Sequence, residues 1–160
     1  MIQTTMTQTE LILLNFDEIR RRSTALWTGL PEQHYFWKPD PDAMSALEMI
    51  RHVLGADHGW NIIINNGDMS AYRSPWEGRP YTNLTDELEF AAPHRQRFLD
   101  SVRSFSAADL ATVDVTHPGN GRKRKLGDYL MRIGYHESVH AGQFLSYLRM
   151  MGVQRPMIWD

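Results

Sequence analysis

Residues 126–151 read LGDYLMRIGYHESVHAGQFLSYLRMM and form the longest helical pattern in the chain. Apolar side chains recur at the spacing of one helical face, and Gly152 ends the pattern. The predicted inner face contains Leu130, Ile133, Val139, Phe144, Leu145 and Leu148. Such an amphipathic helix packs its apolar stripe against other helices, so the rest of the chain should supply them.

Three further segments, residues 9–28, 45–65 and 85–105, have helical periodicity. Ser45 and Glu48 form a capping-box pattern at the start of the second, and Thr82 or Thr85 is expected to cap the third. The connections are long; residues 31–42 hold three prolines, and residues 67–82 are rich in aromatics. Only residues 111–116 hint at a short strand. The pattern therefore predicts an all-α four-helix bundle with long connecting loops.

Composition restricts the classes of protein to which the chain can belong. Its 160 residues suit a single domain spanning residues 1–160. A formal net charge of −2 gives no overall attraction to nucleic acid, and the absence of cysteine removes disulfides and thiolate ligands. The apolar runs are too short for a membrane helix, and the N-terminus lacks a secretory signal. We therefore expect a soluble cytoplasmic protein with no membrane or nucleic-acid partner.

The most informative motif is His136-Glu137-Ser138-Val139-His140 within the last helix. Histidines at positions i and i+4 lie about 40° apart around the helix axis, so both rings can reach one cation. The motif also matches the His-Glu-x-x-His pattern of zinc peptidases, in which the glutamate is the general base. That interpretation needs a ligand downstream, but the last 20 residues contain neither histidine nor glutamate. We therefore reject it.

The third ligand should come from upstream, and His52 in the middle of the second helix is the best candidate. Three protein ligands with an open position are typical of catalytic zinc sites, whereas structural sites are closed by four. Imidazole suits several divalent metals, so these residues do not select the ion.

A structural explanation competes with this hypothesis, because a histidine pair on a helix can also arise by chance. Tyr129, Gln143 and Tyr147 lie within about 20° of His136 around the axis, so the predicted stripe is polar where a bundle core should be apolar. Polar groups buried in this way need partners, and a metal with its waters would supply them. Glu137 points away from the pair and is expected to be solvated or to support the site indirectly. His58, by contrast, and likewise His34, His94 and His117, are expected at the surface.

The arrangement resembles the DinB/YfiT-like family of metal-dependent enzymes. The resemblance lies in residues 51–60 (RHVLGADHGW), in His140-Ala141-Gly142-Gln143, in residues 148–152 (LRMMG) and in the loop at residues 30–39. It implies an up-down-down-up bundle, a homodimer, and a zinc or nickel ion held by His52, His136 and His140. It also implies a hydrolase, or an enzyme that activates a low-molecular-weight thiol for transfer or isomerisation.

Two functions remain open at this stage. In the first, the metal activates water or a small thiol, Gln143 and Tyr147 orient the reacting groups, and Trp60 and Tyr129 line the substrate pocket with aromatics from the 72–81 loop. In the second, the bundle holds a metal or ligand without turnover, as a stress-response module. The basic run at residues 122–125 is interpreted as a solvated surface and not as a nucleic-acid site.

Overall fold

A computed structural model describes residues 5–159 of the chain. Four long helices dominate it, together with a one-turn 3-10 helix at Glu32–His34, a short helix and two short strands. In chain order the elements are α1 (Gln8–Thr28), α2 (Ala46–Ile64), α3 (Leu84–Ser104), α4 (Ala107–Thr112), β1 (Asp114–Thr116), β2 (Lys123–Lys125) and α5 (Leu126–Met150). The all-α prediction is confirmed. In the described part of the chain, no helix is both long enough and apolar enough to cross a membrane.

Side-chain caps mark the first residues of α2 and α3. Ser45 accepts a hydrogen bond from the Glu48 amide, and Glu48 accepts one in return from the Ser45 amide, which is the predicted capping box. At α3 the prediction of a threonine cap is wrong. Asn83 provides the cap, because its side-chain oxygen accepts from the Asp86 amide at 2.9 Å.

The four long helices enclose the core so that α1 and α2 lie diagonally opposite each other. Each of these two packs against both α3 and α5. One part of the core, around Ile50 and Phe144, lies under the α1–α2 connection, and the other surrounds Phe98 and Leu130. Because α2 and α5 are neighbours, side chains from their facing sides can meet.

One face of α5 differs from the prediction. Val139 was expected inside, but 41% of its surface is exposed, as are larger fractions of Met131 and Tyr135. These three residues are spaced by four and form an exposed stripe. The inward positions near them are occupied by Gly134 and Glu137, because α5 packs closely against α1 and carries an ion pair there.

A small antiparallel hairpin connects α4 to α5. Its first strand, β1, confirms the hint of a strand in residues 111–116, and β2 comes from the basic run. Val115 pairs with Arg124 and is fully buried, so it anchors the hairpin on the core. The Leu126 amide donates to the Val113 carbonyl at 2.9 Å, which joins the base of the hairpin to the start of α5.

Candidate metal centre

The structure brings His52 of α2 together with His136 and His140 of α5. The Nε2 atoms of His52 and His136 are 3.1 Å apart, and one ligand nitrogen from each of the three rings lies within 4.8 Å of the others. The ring centroids are separated by 4.7–5.1 Å. The sequence predicted this triad on the face of α5 that points into the bundle. In the structure the triad lies at the edge of the protein, because His52 is exposed.

The donor set fits a divalent metal ion. Two nitrogens bound tetrahedrally at 2.0–2.1 Å from zinc are about 3.4 Å apart, which is close to the separation of His52 and His136. His140 Nδ1 donates to the side-chain oxygen of Gln143 at 2.7 Å, so its Nε2 is free to act as a ligand. The three histidines can therefore hold a metal ion, with Gln143 supporting one of the rings.

The electrostatics keep two of the rings neutral. Partial burial, and then the neighbouring His140, lower the pKa of His52. Burial together with the charges of His140 and His52 lowers the pKa of His136 to about 4. Neutral imidazole is the form that ligates metals, so at neutral pH these rings need not lose a proton on binding.

Behind the triad, a buried ion-pair network joins all four long helices. Arg20 of α1 donates to both carboxylate oxygens of Glu137, at 2.8 and 3.0 Å, and to Asp57 of α2 at 3.1 Å. Arg95 of α3 completes the network with a 3.2 Å contact to Asp57. Burial acts to raise the pKa of Glu137, but Arg20, Arg95 and Ser23 together outweigh it and the pKa is lowered. The expectation of a solvated Glu137 is therefore wrong, because this carboxylate is engaged inside the protein.

A cavity of about 370 Å³ opens beside His136. Trp60 and Tyr129, the two residues expected to line a substrate pocket, line this cavity, and the Trp60 ring lies 5.7 Å from that of His136. No aromatic of the 72–81 loop is among its lining residues in the described structure. Trp76 of that loop is buried elsewhere and donates its indole N–H to Glu87 at 2.8 Å.

The hairpin forms the other wall of the cavity, and this is the feature that sequence reasoning missed. The basic run was predicted to be a solvated surface, and Arg122, Lys123 and Lys125 are exposed. In addition, Arg122 and Arg124 line the cavity together with Arg132 of α5. The available signal was the alternation of arginine and lysine in residues 122–125, which indicates a strand with two different faces.

Tyr147 lies in the core and not in the cavity. Its hydroxyl donates to the Met44 carbonyl at 2.9 Å, and its ring packs edge-on against Trp37. Burial raises its pKa. The predicted role in orienting a reacting group therefore has no support from its contacts.

The remaining histidines are half-buried and not fully exposed as expected. His58 and His94 pack against each other with ring centroids 5.2 Å apart, and Tyr72 covers His58. His34 and His117 are also partly covered. None of these four belongs to the triad.

Comparison with known proteins agrees with this architecture. A YjoA protein of Bacillus subtilis (strain 168), described as uncharacterized, is 27% identical over 149 residues, which cover 92% of this chain and 93% of that protein. The crystal structure of a DinB-like protein, YjoA from Bacillus subtilis, has a TM-score of 0.68 at 23% identity and shows the same fold over 92% of this chain and 97% of that one. A family model described as the DinB superfamily matches residues 15–144. Because this match spans most of the chain, the protein belongs to the DinB superfamily.

Proposed function

We propose that the protein is a metal-dependent enzyme that binds zinc or nickel through His52, His136 and His140. The observation that carries the proposal is the meeting of three imidazoles, drawn from two helices, within 4.8 Å. They leave at least one coordination position for an exchangeable ligand, as in catalytic zinc sites. The exposure of His52 supports access from solvent.

The chemistry follows from the donor set. A divalent ion in such a site lowers the pKa of a water or thiol bound to it and so provides a nucleophile near neutral pH. Because the 160 residues contain no cysteine, a sulfur nucleophile would have to be a small molecule. Gln143 holds the His140 ring, and Trp60 and Tyr129 form the wall on which a substrate would lie. The reaction class is therefore hydrolysis or thiol transfer.

Metal analysis tests the first step of the proposal. The purified protein, loaded with zinc or nickel and then desalted, should retain one ion per chain by plasma mass spectrometry. His136→Ala should abolish tight binding, because it removes one of the three candidate ligand nitrogens. His34→Ala is the matched control, since His34 lies in the 3-10 helix outside the site. Equal metal content in His136→Ala and the control would reject the site.

A second candidate function is a metal-binding module without turnover. It is favoured by one observation: Glu137, the carboxylate next to His136 in sequence, is engaged by Arg20 and is not free to act as a base. Incubating metal-loaded protein with thiols, electrophiles and esters distinguishes the two functions. Turnover above that of His52→Ala supports the enzyme, and activity equal to that of the variant supports the module.

A further inference from the structure

The cavity beside His136 has a wall rich in positive charge and hydrogen-bond donors. We propose that this wall binds the anionic head group, a carboxylate or phosphate, of a small substrate whose body is apolar. The inference rests on the proposed function, because it places this substrate next to the metal centre. It adds the hairpin as the element that selects the substrate.

Three arginines supply the charge, and two of them have no competing carboxylate. Arg124 forms an ion pair with Asp128 at 2.8 Å. Within residues 5–159, neither Arg122 nor Arg132 forms an ion pair, and no acidic residue lines the cavity. An arginine guanidinium binds carboxylate and phosphate oxygens through paired, charge-assisted hydrogen bonds. An anion entering the cavity therefore meets two unpaired guanidinium groups.

Two side chains of the hairpin turn offer further donors. His117 Nδ1 accepts from the Gly119 amide at 3.0 Å, which leaves the Nε2–H group to donate. Asn120 uses its side-chain oxygen to accept from the Arg122 amide at 3.0 Å, so its NH₂ group remains to donate. Both residues line the cavity. Their acceptor atoms are used within the turn, so the groups left for a ligand are donors.

Tyr129 lines the same cavity and carries a polar group without a partner in the part of the chain that the structure describes. Only 4% of the residue is exposed, and its hydroxyl has no hydrogen-bond partner among the described residues. A buried polar group without a partner is destabilising. Burial raises the pKa of Tyr129, while Arg132 opposes the rise, so the hydroxyl keeps its proton at neutral pH. A bound anion would accept that proton in a hydrogen bond.

The rest of the cavity suits an apolar body. Trp60, Ile133 and Val139 contribute apolar surface, and the volume of about 370 Å³ lies at the small end of the range for ligand pockets. His136 lies on the same wall as Trp60. An anchored ligand would therefore place its other end near the histidines.

Calorimetry on metal-free protein tests the inference separately from catalysis. The probes are 3-phenylpropionate, 3-phenylpropyl phosphate and the neutral 3-phenylpropionamide, which share the same apolar body. At least one anionic probe should bind about tenfold more tightly than the amide, since a hydrogen bond to a charged group contributes about 1.5–3 kcal/mol. The tighter of the two anions identifies the head group. Binding of the amide as tightly as both anions would overturn the inference.

Single substitutions test which side chains of the cavity bind the anionic probe. Arg122→Gln and Arg132→Gln should each lower the affinity for the anionic probe about tenfold. Lys123→Gln is the control, because it makes the same charge change in the same hairpin at a residue that does not line the cavity. Tyr129→Phe should also weaken binding while leaving the melting temperature unchanged or higher, because the unpartnered hydroxyl is removed. Equal affinities of the arginine variants and the lysine control would refute the proposal that Arg122 and Arg132 bind the anion.

Failure of this inference is distinguishable from failure of the proposed function. Metal retention by the wild-type protein with no preference for anions would leave the metal centre standing and reject only the anionic substrate. Preference for anions in a protein that retains no metal would reject the proposed function and keep the anion site. The two measurements use different side chains and different readouts.

Discussion

Glu137→Gln should destabilise the protein strongly while leaving the three histidines in place. The substitution keeps the shape of the side chain but removes the charge that Arg20 contacts through two hydrogen bonds. Only 15% of the Arg20 side chain and 9% of the Glu137 side chain are exposed, so water cannot replace the lost interaction. This variant therefore measures the network behind the triad and not the triad itself.

The expected loss of stability depends on how many of the Arg20 ion pairs remain in Glu137→Gln. Removing one partner of a buried ion pair costs about 3–5 kcal/mol. Here Asp57 stays within 3.1 Å of Arg20 and keeps part of the charge balance, so the lower end, about 3 kcal/mol, is expected. For a chain of this size that loss corresponds to a drop in melting temperature of roughly 6–12 °C.

The assay is urea and thermal unfolding followed by circular dichroism on metal-free protein. Asp100→Asn is the control, since it removes an exposed ion pair with Arg103 that should contribute less than about 1 kcal/mol. Arg20→Met alone and with Glu137→Gln completes a double-mutant cycle, and contacting residues should couple by at least about 0.5 kcal/mol. A Glu137→Gln protein as stable as Asp100→Asn, or additive effects in the cycle, would refute the reasoning.

Three further outcomes are expected. Saturating zinc or nickel should raise the melting temperature of the wild-type protein but not of His140→Ala, because a ligand that binds only the folded state stabilises it. Phe98→Ala should lower the free energy of unfolding by about 3–5 kcal/mol in urea titrations, since Phe98 is fully buried. Asn83→Ala should lower the free energy of unfolding by about 1 kcal/mol in the same titration, because Asn83 is the cap. Thr85→Ala should change that free energy little.

The triad was predictable because its sequence signals are local. His136 and His140 share a helix face through their spacing, and capping residues show where α2 begins around His52. Only the packing of α2 against α5 had to be assumed, and in a bundle of four helices each helix has two direct neighbours. The meeting of the three histidines could therefore be predicted from helix periodicity and one assumption about neighbours.

The errors involve residues whose environment depends on a distant partner. Nothing near Glu137 in sequence indicates that Arg20 lies against it, so its burial could not be read from helix periodicity. Val139 is apolar and follows the spacing of the inner face, yet 41% of it is exposed and it lines the cavity. Tertiary packing decided both positions, and a single sequence does not contain that information.

The arginines that line the cavity, Arg122 and Arg124, show what the pairing of β1 with β2 adds to the basic run at residues 122–125. Val115 pairs directly with Arg124, and directly opposed residues in an antiparallel pair share one face, so the burial of Val115 turns Arg124 toward α5. Arg122 lies two residues earlier and shares that face, whereas Lys123 lies on the other. The face that lines the cavity thus holds arginines, whose planar groups suit carboxylates and phosphates, and the opposite face holds lysines, whose compact ammonium groups are strongly hydrated. A solvated basic loop gives no reason for that division, but a strand that presents one face to a ligand and the other to water does.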